Sequence, residues 1–512
     1  MTLDQLKSQF AKESNDLLAF ALDPRGGDTQ EKSFKAVEAA LIPLVFALGR
    51  TAVMIFLAAA EQRLASTLPP YLHKGGRRFR KVEAKGRTLE CWFGCIRYWR
   101  TYMAEVAKGG RKGFHPLDVT LGLTKDRISI TLLAACVRLA TKLSYAQARA
   151  AAGWFLPTVP SIEVIEQSVL GFGRYTSEWF KSQPAPEGDG HVLVILVDSK
   201  GIPTATADEL KKRRRKRRKL SQAVSPRHRG RAQRGQWSPK KRRKKGDKSK
   251  NAKMATLVVM YTLNRQGRCL LGPINRWVFG SFAPKKYAFQ IARREANKRG
   301  FTPGSGRLIQ ILTDGDLDLE AHVKTYFPEA IHTLDVIHAI EKIWEAGACL
   351  FPEGSDELKH WIEHQKQDVY QGRVSAMIAG LVRHYHLIPK TGPGNKGKRN
   401  RLEKVIDYLR HRITLMNYDE LIAKDLEIST GQVEGAVRYT IGLRCDFGGM
   451  RWIKERAEAI LQLRCIDING DWEKFVDYVH DHAQREADEH GPPIRIQQQQ
   501  PSPLPELLSE AA

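Results

Sequence analysis

Two aspartates in this 512-residue chain stand where an apolar run stops. HVLVILVD, residues 191–198, ends on Asp198, and RLIQILTD, residues 307–314, ends on Asp314. Each run reads as a buried strand, and ligands of open α/β sheets gather at the carboxyl ends of strands. Two carboxylates brought together there repel, and one takes up a proton unless a cation intervenes. Hard oxygen ligands suit Mg²⁺ or Mn²⁺, and two such ions roughly 3.5–4 Å apart serve phosphoryl transfer. A turn role is the alternative for Asp314, because TDGDLD is also good turn chemistry. Asp316 and Asp318 are its local rivals, and one of them is expected to cap the helix that follows. A third acid, Glu434, falls on the first turns of a helix whose start is marked by Ser429 and Gln432, an S-x-x-Q capping pattern.

The elements needed to position these acids are legible around them. MATLVVMYTL (254–263) and CLLGPINRWVFGSF (269–282) read as two more strands, joined by a turn at NRQGR. A helix over 285–299 follows, then the strand at 307–314, a helix over 318–326, and a strand at 330–338 running into a helix through Trp344. Three strands followed by alternation imply a mixed sheet with helices on both faces. This is the element order of a ribonuclease H-like fold. Residues 346–428 read as a helical insertion with a basic loop at 389–401, and 429–481 as the last part of the catalytic core that begins at 186–345.

Residues 1–185 read as a mainly helical region for DNA binding or oligomerisation. It has one short β-like piece at 87–103, and two helices capped by Ser144 and Ser161 that could form a helix-turn-helix or a generic helical hairpin. The stretch AALIPLVFALGRTAVMIFLAAA, residues 39–60, is long enough to span a bilayer. Arg50 at its centre would cost about 2.5–3.5 kcal/mol there, and Pro43 and Gly49 interrupt it. A buried or dimer-forming helix is therefore expected, with no membrane partner.

Charge narrows the function classes. The chain carries 83 Lys and Arg against 56 acids, a formal net charge of +27. Most of the excess lies between Lys211 and Lys253, with 22 Lys/Arg and a single acid, Asp247. Such a block repels itself, so a disordered insert (205–253) is expected, and a polyanion is its natural partner. Lys211, Lys212, Arg213, Arg214, Arg215, Lys240, Lys241, Arg242 and Arg243 are candidate phosphate contacts. Seven scattered cysteines give no disulfide framework, and Cys91 with Cys95 lack the second pair of a zinc site. The N-terminus is polar and shows no secretory leader. Residues 482–512, rich in Gln and Pro, read as a disordered tail.

Four stretches, taken in order, carry a family resemblance: DSKGIPTAT, ILTDGD, FPEAIHTLDVIHAIEKIWEAG and STGQVEGAVRYTIGLRCDFGGMRWIKERAEAILQLR. Together they resemble the DDE transposases of bacterial insertion sequences, in particular the Kra group of Mutator-like enzymes, over residues 85–480. The resemblance implies a ribonuclease H-like catalytic domain with a helical insertion before the last acid. It implies Asp198, Asp314 and Glu434 as a metal-holding catalytic triad with two Mg²⁺ or Mn²⁺ ions, and Asp335 and His338 of LDVIH as auxiliary residues. A purely structural hydrogen bond is the alternative for His338. Ser199 stands where many relatives have Gly.

The expected activity is cleavage and strand transfer of DNA, by a homo-oligomer assembled on element ends and target, in the cytoplasm with the nucleoid. Arg444, Arg451 and Trp452 are further candidates for DNA contact, with a core role the alternative for Trp452. Two other functions stay open: a non-catalytic DNA-binding protein derived from a transposase, and a nuclease or resolvase on the same fold.

Overall fold

The structure is a computed structural model that describes residues 1–23, 33–74, 76–106, 113–123, 126–212, 215, 252–429, 431–446 and 450–490, without the side chains of 432–434 and 486–490. Of the expected phosphate contacts, Arg213, Arg214, Lys240, Lys241, Arg242 and Arg243 lie outside the described residues. The chain divides into two compact units: Met1–Trp179 joined by the stretch from Gly470, and Phe180–Asn469.

The first unit holds more strand than its sequence suggests. After helices α1 (Leu3–Leu22) and α2 (Phe34–Thr67) comes an antiparallel sheet of β1 (Tyr71–Lys74), β2 (Arg77–Cys91), β3 (Gly94–Glu105) and β4 (Gly113–Phe114), in that spatial order. The expected β-like piece was only the centre of this sheet. RRFRKVEAKG at the start of β2 is too charged to show apolar alternation, so the pairing is decided by its partner β3, whose buried Met103 lies opposite Lys81. Charge pairing takes the place of part of the apolar signal. Arg87 and Arg100 each reach Asp118 Oδ2, at 2.9 and 2.7 Å, and the Tyr98 hydroxyl donates to its Oδ1 at 3.0 Å.

Helix α2, expected to be buried or dimer-forming, is not buried within the chain. Only Thr51 and Leu57 along it are buried, while Phe34, Ile42, Val45 and Phe56 are exposed. The core beneath it is small, built on Leu57, Leu89, Cys91, Ile96, Tyr98 and Leu117. Its most apolar window is 11% buried, and by length and composition it could cross a membrane. Further along, Ser144 and Ser161 cap their helices, Tyr145–Ala152 and Ile162–Gly173, as expected. Residues 153–161 separate the two, longer than the three- to four-residue turn of a helix-turn-helix, so the tight connection is not formed. The last helix of this unit, Trp472–His490, runs beyond the expected start of the tail at residue 482, and its residues 472–481 belong to this unit although they were expected in the last part of the catalytic core, 429–481.

The second unit is an α/β layer built on one five-stranded mixed sheet. Its strands are β5 (Val192–Pro203), β6 (Ala252–Gln266), β7 (Cys269–Ser281), β8 (Leu308–Thr313) and β9 (Ile331–Leu334). The spatial order is β7-β6-β5-β8-β9. β5, β6 and β7 pair antiparallel, and β8 and β9 run parallel to β5. Residues Val192 to Val197 are all buried, as a central strand covered on both faces requires. Between and after these strands lie the helices Lys285–Lys298, Leu317–Tyr326 and Val336–Leu350.

The insertion is helical, as expected. It comprises Asp356–Tyr370, Val374–Leu387, Asn395–His411 and Tyr418–Ala423. The expected basic loop at 389–401 is half helix, because the third of these begins at Asn395. The chain then forms the helix Gly431–Val437, which passes through a π-helical turn at Arg438–Gly442, and finally the helix Lys454–Ile468.

Candidate active site at the carboxyl ends of the parallel strands

The site is set by register. β5 and β8 pair in parallel through Val197 and Thr313, and β8 and β9 through Thr313 and Leu334. The next residue on each strand is an aspartate: Asp198, Asp314 and Asp335. Three acids thus stand side by side on adjacent chains, at the ends where the β8 and β9 ladders stop. Asp198 does not end its strand, as the sequence suggested. β5 runs on to Pro203 because β6 is long enough to keep pairing, from Asp198 opposite Leu257 to Pro203 opposite Ala252.

The three acids have different surroundings. Asp198 is half-buried, and its Oδ1 accepts from the Ser199 N–H at 2.5 Å. Asp314 is also half-buried, and its Oδ1 accepts from the Asp316 N–H at 2.9 Å. No cationic side chain pairs with Asp314 among the described residues. Asp335 is fully buried and caps the helix Val336–Leu350 by accepting from the Ile337 N–H at 3.1 Å. His338 lies one turn along, with Nε2 3.8 Å from Asp335 Oδ2 and Nδ1 3.3 Å from Glu341 Oε2.

The rivals of Asp314 have other work. Asp316 caps the helix Leu317–Tyr326, and Lys285 Nζ sits 2.9 Å from Asp316 and 3.1 Å from Asp318. Burial pushes the Asp316 carboxyl up, but the hydrogen bonds from Lys285 and the Asp318 N–H outweigh it and hold the group below its ordinary range. A carboxylate already paired with a lysine is a poor cation ligand.

Glu434 lies on the helix Gly431–Val437, whose backbone packs against β5 and β6. Its side chain is not described. The start of this helix differs from the expected capping box in one respect: the Ser429 hydroxyl accepts from the Gly431 N–H at 3.2 Å, and the Gln432 side chain is not described. An independent contact ties the same stretch to the face of β5 that bears Asp198. Lys200, two residues on and so on the same face, brings Nζ to 3.6 Å from Asp446 Oδ2. Among the described residues, no group of three or more His, Cys, Asp or Glu is arranged to hold a metal ion; the described donors are Asp198 and Asp314.

Two of the expected DNA contacts are interior. Arg444 is 1% exposed and stacks on Trp452, its guanidinium 4.7 Å from the ring centroid. The Trp452 indole N–H donates to the Cys445 carbonyl at 2.9 Å, and its backbone pairs with Thr204 just past β5. Both side chains fix the segment after Glu434 to the sheet instead of facing solvent. Arg451 between them is half-buried. Lys211, Lys212 and Arg215 are exposed.

Sequence reasoning missed three residues of the insertion that reach the strand ends. The Tyr408 hydroxyl donates to the Asp314 carbonyl at 3.0 Å, Arg412 Nε to the Gly315 carbonyl at 2.9 Å, and the Tyr418 hydroxyl to the Leu334 carbonyl at 2.9 Å. Nothing local marks them, since each acts across more than eighty residues of chain. It also missed Glu458, fully buried on Lys454–Ile468, which accepts from the Ser281 hydroxyl at 2.7 Å and the Phe282 N–H at 2.6 Å. Burial pushes its carboxyl up to about 7.

No protein-family model and no curated protein matches the chain.

Proposed function

We propose that this chain cuts and rejoins DNA as the transposase of an insertion sequence, with Asp198, Asp314 and Glu434 as its carboxylate triad. The observation that carries this reading is the register of β5 and β8, which makes Asp198 and Asp314 neighbours at the carboxyl end of a buried parallel pair. The strand order supports it: three antiparallel strands, then two parallel to the first, is the arrangement of a ribonuclease H-like sheet. The helix bearing Glu434 returns to that sheet after the helical insertion.

The donor set fits a divalent cation. Asp198 and Asp314 are hard oxygen ligands, half-buried and close enough in register to repel when both are ionised. They would hold Mg²⁺ or Mn²⁺, two ions in all, with Glu434 completing the second site. Such ions, when bound, neutralise phosphate charge and sharpen the nucleophilicity of a water or a 3′-hydroxyl. The protein's own part is positional: the buried β5–β8 pair fixes the two carboxylates, and Asp335 fixes the helix that carries His338. The cations of 211–253 would neutralise phosphates without reading sequence, and a homo-oligomer would bring two element ends together.

The test is cleavage of a duplex carrying the element's own end, in Mg²⁺ or Mn²⁺. Asp198→Asn, Asp314→Asn and Glu434→Gln should each abolish cleavage and leave DNA binding intact, because each keeps shape and removes the charge that holds a cation. Wild-type-like cleavage by any of the three would remove that residue from the triad.

A further inference from the structure

The helical insertion grips the acid-bearing ends of two strands. Asp314 follows β8 directly, and the turn after it depends on Gly315, whose φ of +78° suits glycine. A Cβ there would stand 2.5 Å from the Tyr408 hydroxyl and 2.7 Å from Arg412 Nε. These are the groups that donate to the Asp314 and Gly315 carbonyls, and Tyr418 does the same at Leu334, the residue before Asp335. Arg412 is 5% exposed and also pairs with Glu320 at 2.9 Å, on the helix that follows the turn. Its guanidinium lies 4.1 Å from the Tyr408 ring centroid, so the two donors brace each other. Three side chains from one insertion thus satisfy three consecutive-strand carbonyls that flank Asp314 and Asp335.

We infer that the insertion is a clamp that positions the second carboxylate: Tyr408 and Arg412 fix the Asp314 turn, and Tyr418 fixes the end of β9. These are positioning residues, since at the strand ends each donates to a backbone carbonyl. The cation-binding part of this inference rests on the proposed triad.

The experiment uses the full chain with Tyr408→Phe, Arg412→Lys and the double variant, and Tyr385→Phe elsewhere in the insertion as control. Hydrogen exchange of amides 314–317 is read first, without metal. The clamp predicts several-fold faster exchange there in the double variant, with the strands β5 and β6 unchanged. Mn²⁺ binding is read next by water-proton relaxation. Each lost donor should weaken Mn²⁺ by about three- to tenfold, the usual scale of one hydrogen bond, and excess Mn²⁺ should restore the cleavage rate. Unchanged exchange at 314–317 overturns the clamp, and faster exchange with unchanged Mn²⁺ affinity overturns its positioning role. A wild-type chain that binds no Mn²⁺, while the variants still exchange faster, overturns the triad and leaves the clamp standing.

Discussion

At the scale of single residues, spacing to an apolar run pointed to Asp198 and Asp314, and the structure supplies what spacing lacks, the identity of each neighbour's partner. Asp316 and Asp318 face Lys285. Asp316→Asn and Asp318→Asn should therefore retain most cleavage activity and lose less than about 1 kcal/mol of stability, since both pairs are partly exposed and Asn caps helices as well as Asp. A cleavage loss in Asp316→Asn matching that of Asp314→Asn would reassign the ligand. The buried Glu458 was not legible, because an acid in KERAEAILQLR looks like the polar face of a helix. Its carboxyl is raised from 4.5 to about 7, so the folded state keeps a proton that the unfolded chain releases across that window. Its contribution to stability is present below pH 4.5 and is lost as pH rises through 7, by roughly 1 kcal/mol per pH unit. His332 works in the opposite sense: burial lowers it from 6.5 to about 4, so its contribution grows as pH rises from 4 to 6.5. Glu458→Gln should therefore unmask a rise in stability between pH 4.5 and 6.5 and remove the fall above it. Urea melts at four pH values read this directly, and a profile identical to wild type would refute it.

At the scale of elements, strands were legible where they are buried on both faces and illegible where charge pairs replace apolar contacts. HVLVILVD, RLIQILTD and MATLVVMYTL were found because a central strand must be apolar, and the edge strand β7 was found from its apolar end, buried from Trp277 on. The N-terminal sheet was largely missed because β2 is arginine-rich and draws its stability from Asp118 and from the buried residues of β3. The strand at Ile331–Leu334 was placed correctly but drawn too long, since Asp335 turns the chain into a helix by capping it. The turn after β8 gives the sharpest element-level test. Gly315→Ala must adopt a left-handed backbone and displace Tyr408 and Arg412, so it should cost at least about 2 kcal/mol, of which about 1–2 is backbone strain. Gly304 has a similar φ of +80° but nothing within 4 Å of a Cβ. Gly304→Ala should cost only the backbone share. Equal melting temperatures for the two variants would mean that the turn is not gripped.

At the scale of the whole molecule, the +27 charge is carried mostly by one segment, and the sheet shows how that segment is accommodated. Pro203 and Ala252 are antiparallel partners, so everything between them leaves and rejoins the sheet at points about 5 Å apart. Residues 213–250 can therefore be replaced by a short linker without straining β5 or β6. The shortened protein should fold, and its DNA affinity should fall for every sequence alike with a flatter dependence on salt concentration. Binding isotherms at several salt concentrations decide it, and an unchanged slope would mean that these cations touch no phosphate. Composition alone suggests the polyanionic partner proposed above. The long-range contacts of the insertion were invisible to it, because they join residues that share no local pattern.

Those same contacts impose an order on synthesis. Gln310 in β8 exchanges hydrogen bonds with the backbone of Glu427, at 2.6 and 3.1 Å, and Val336 donates to the carbonyl of Ile428 at 3.0 Å. The ends of β8 and β9 are thus completed by chain that leaves the ribosome about a hundred residues later. Loop closure over such distances slows folding. A polypeptide halted inside the insertion would already expose its basic segment to nucleic acid while the strand ends bearing Asp314 and Asp335 still lack their braces. On the proposed function, attachment to DNA would then become available before the capacity to break it.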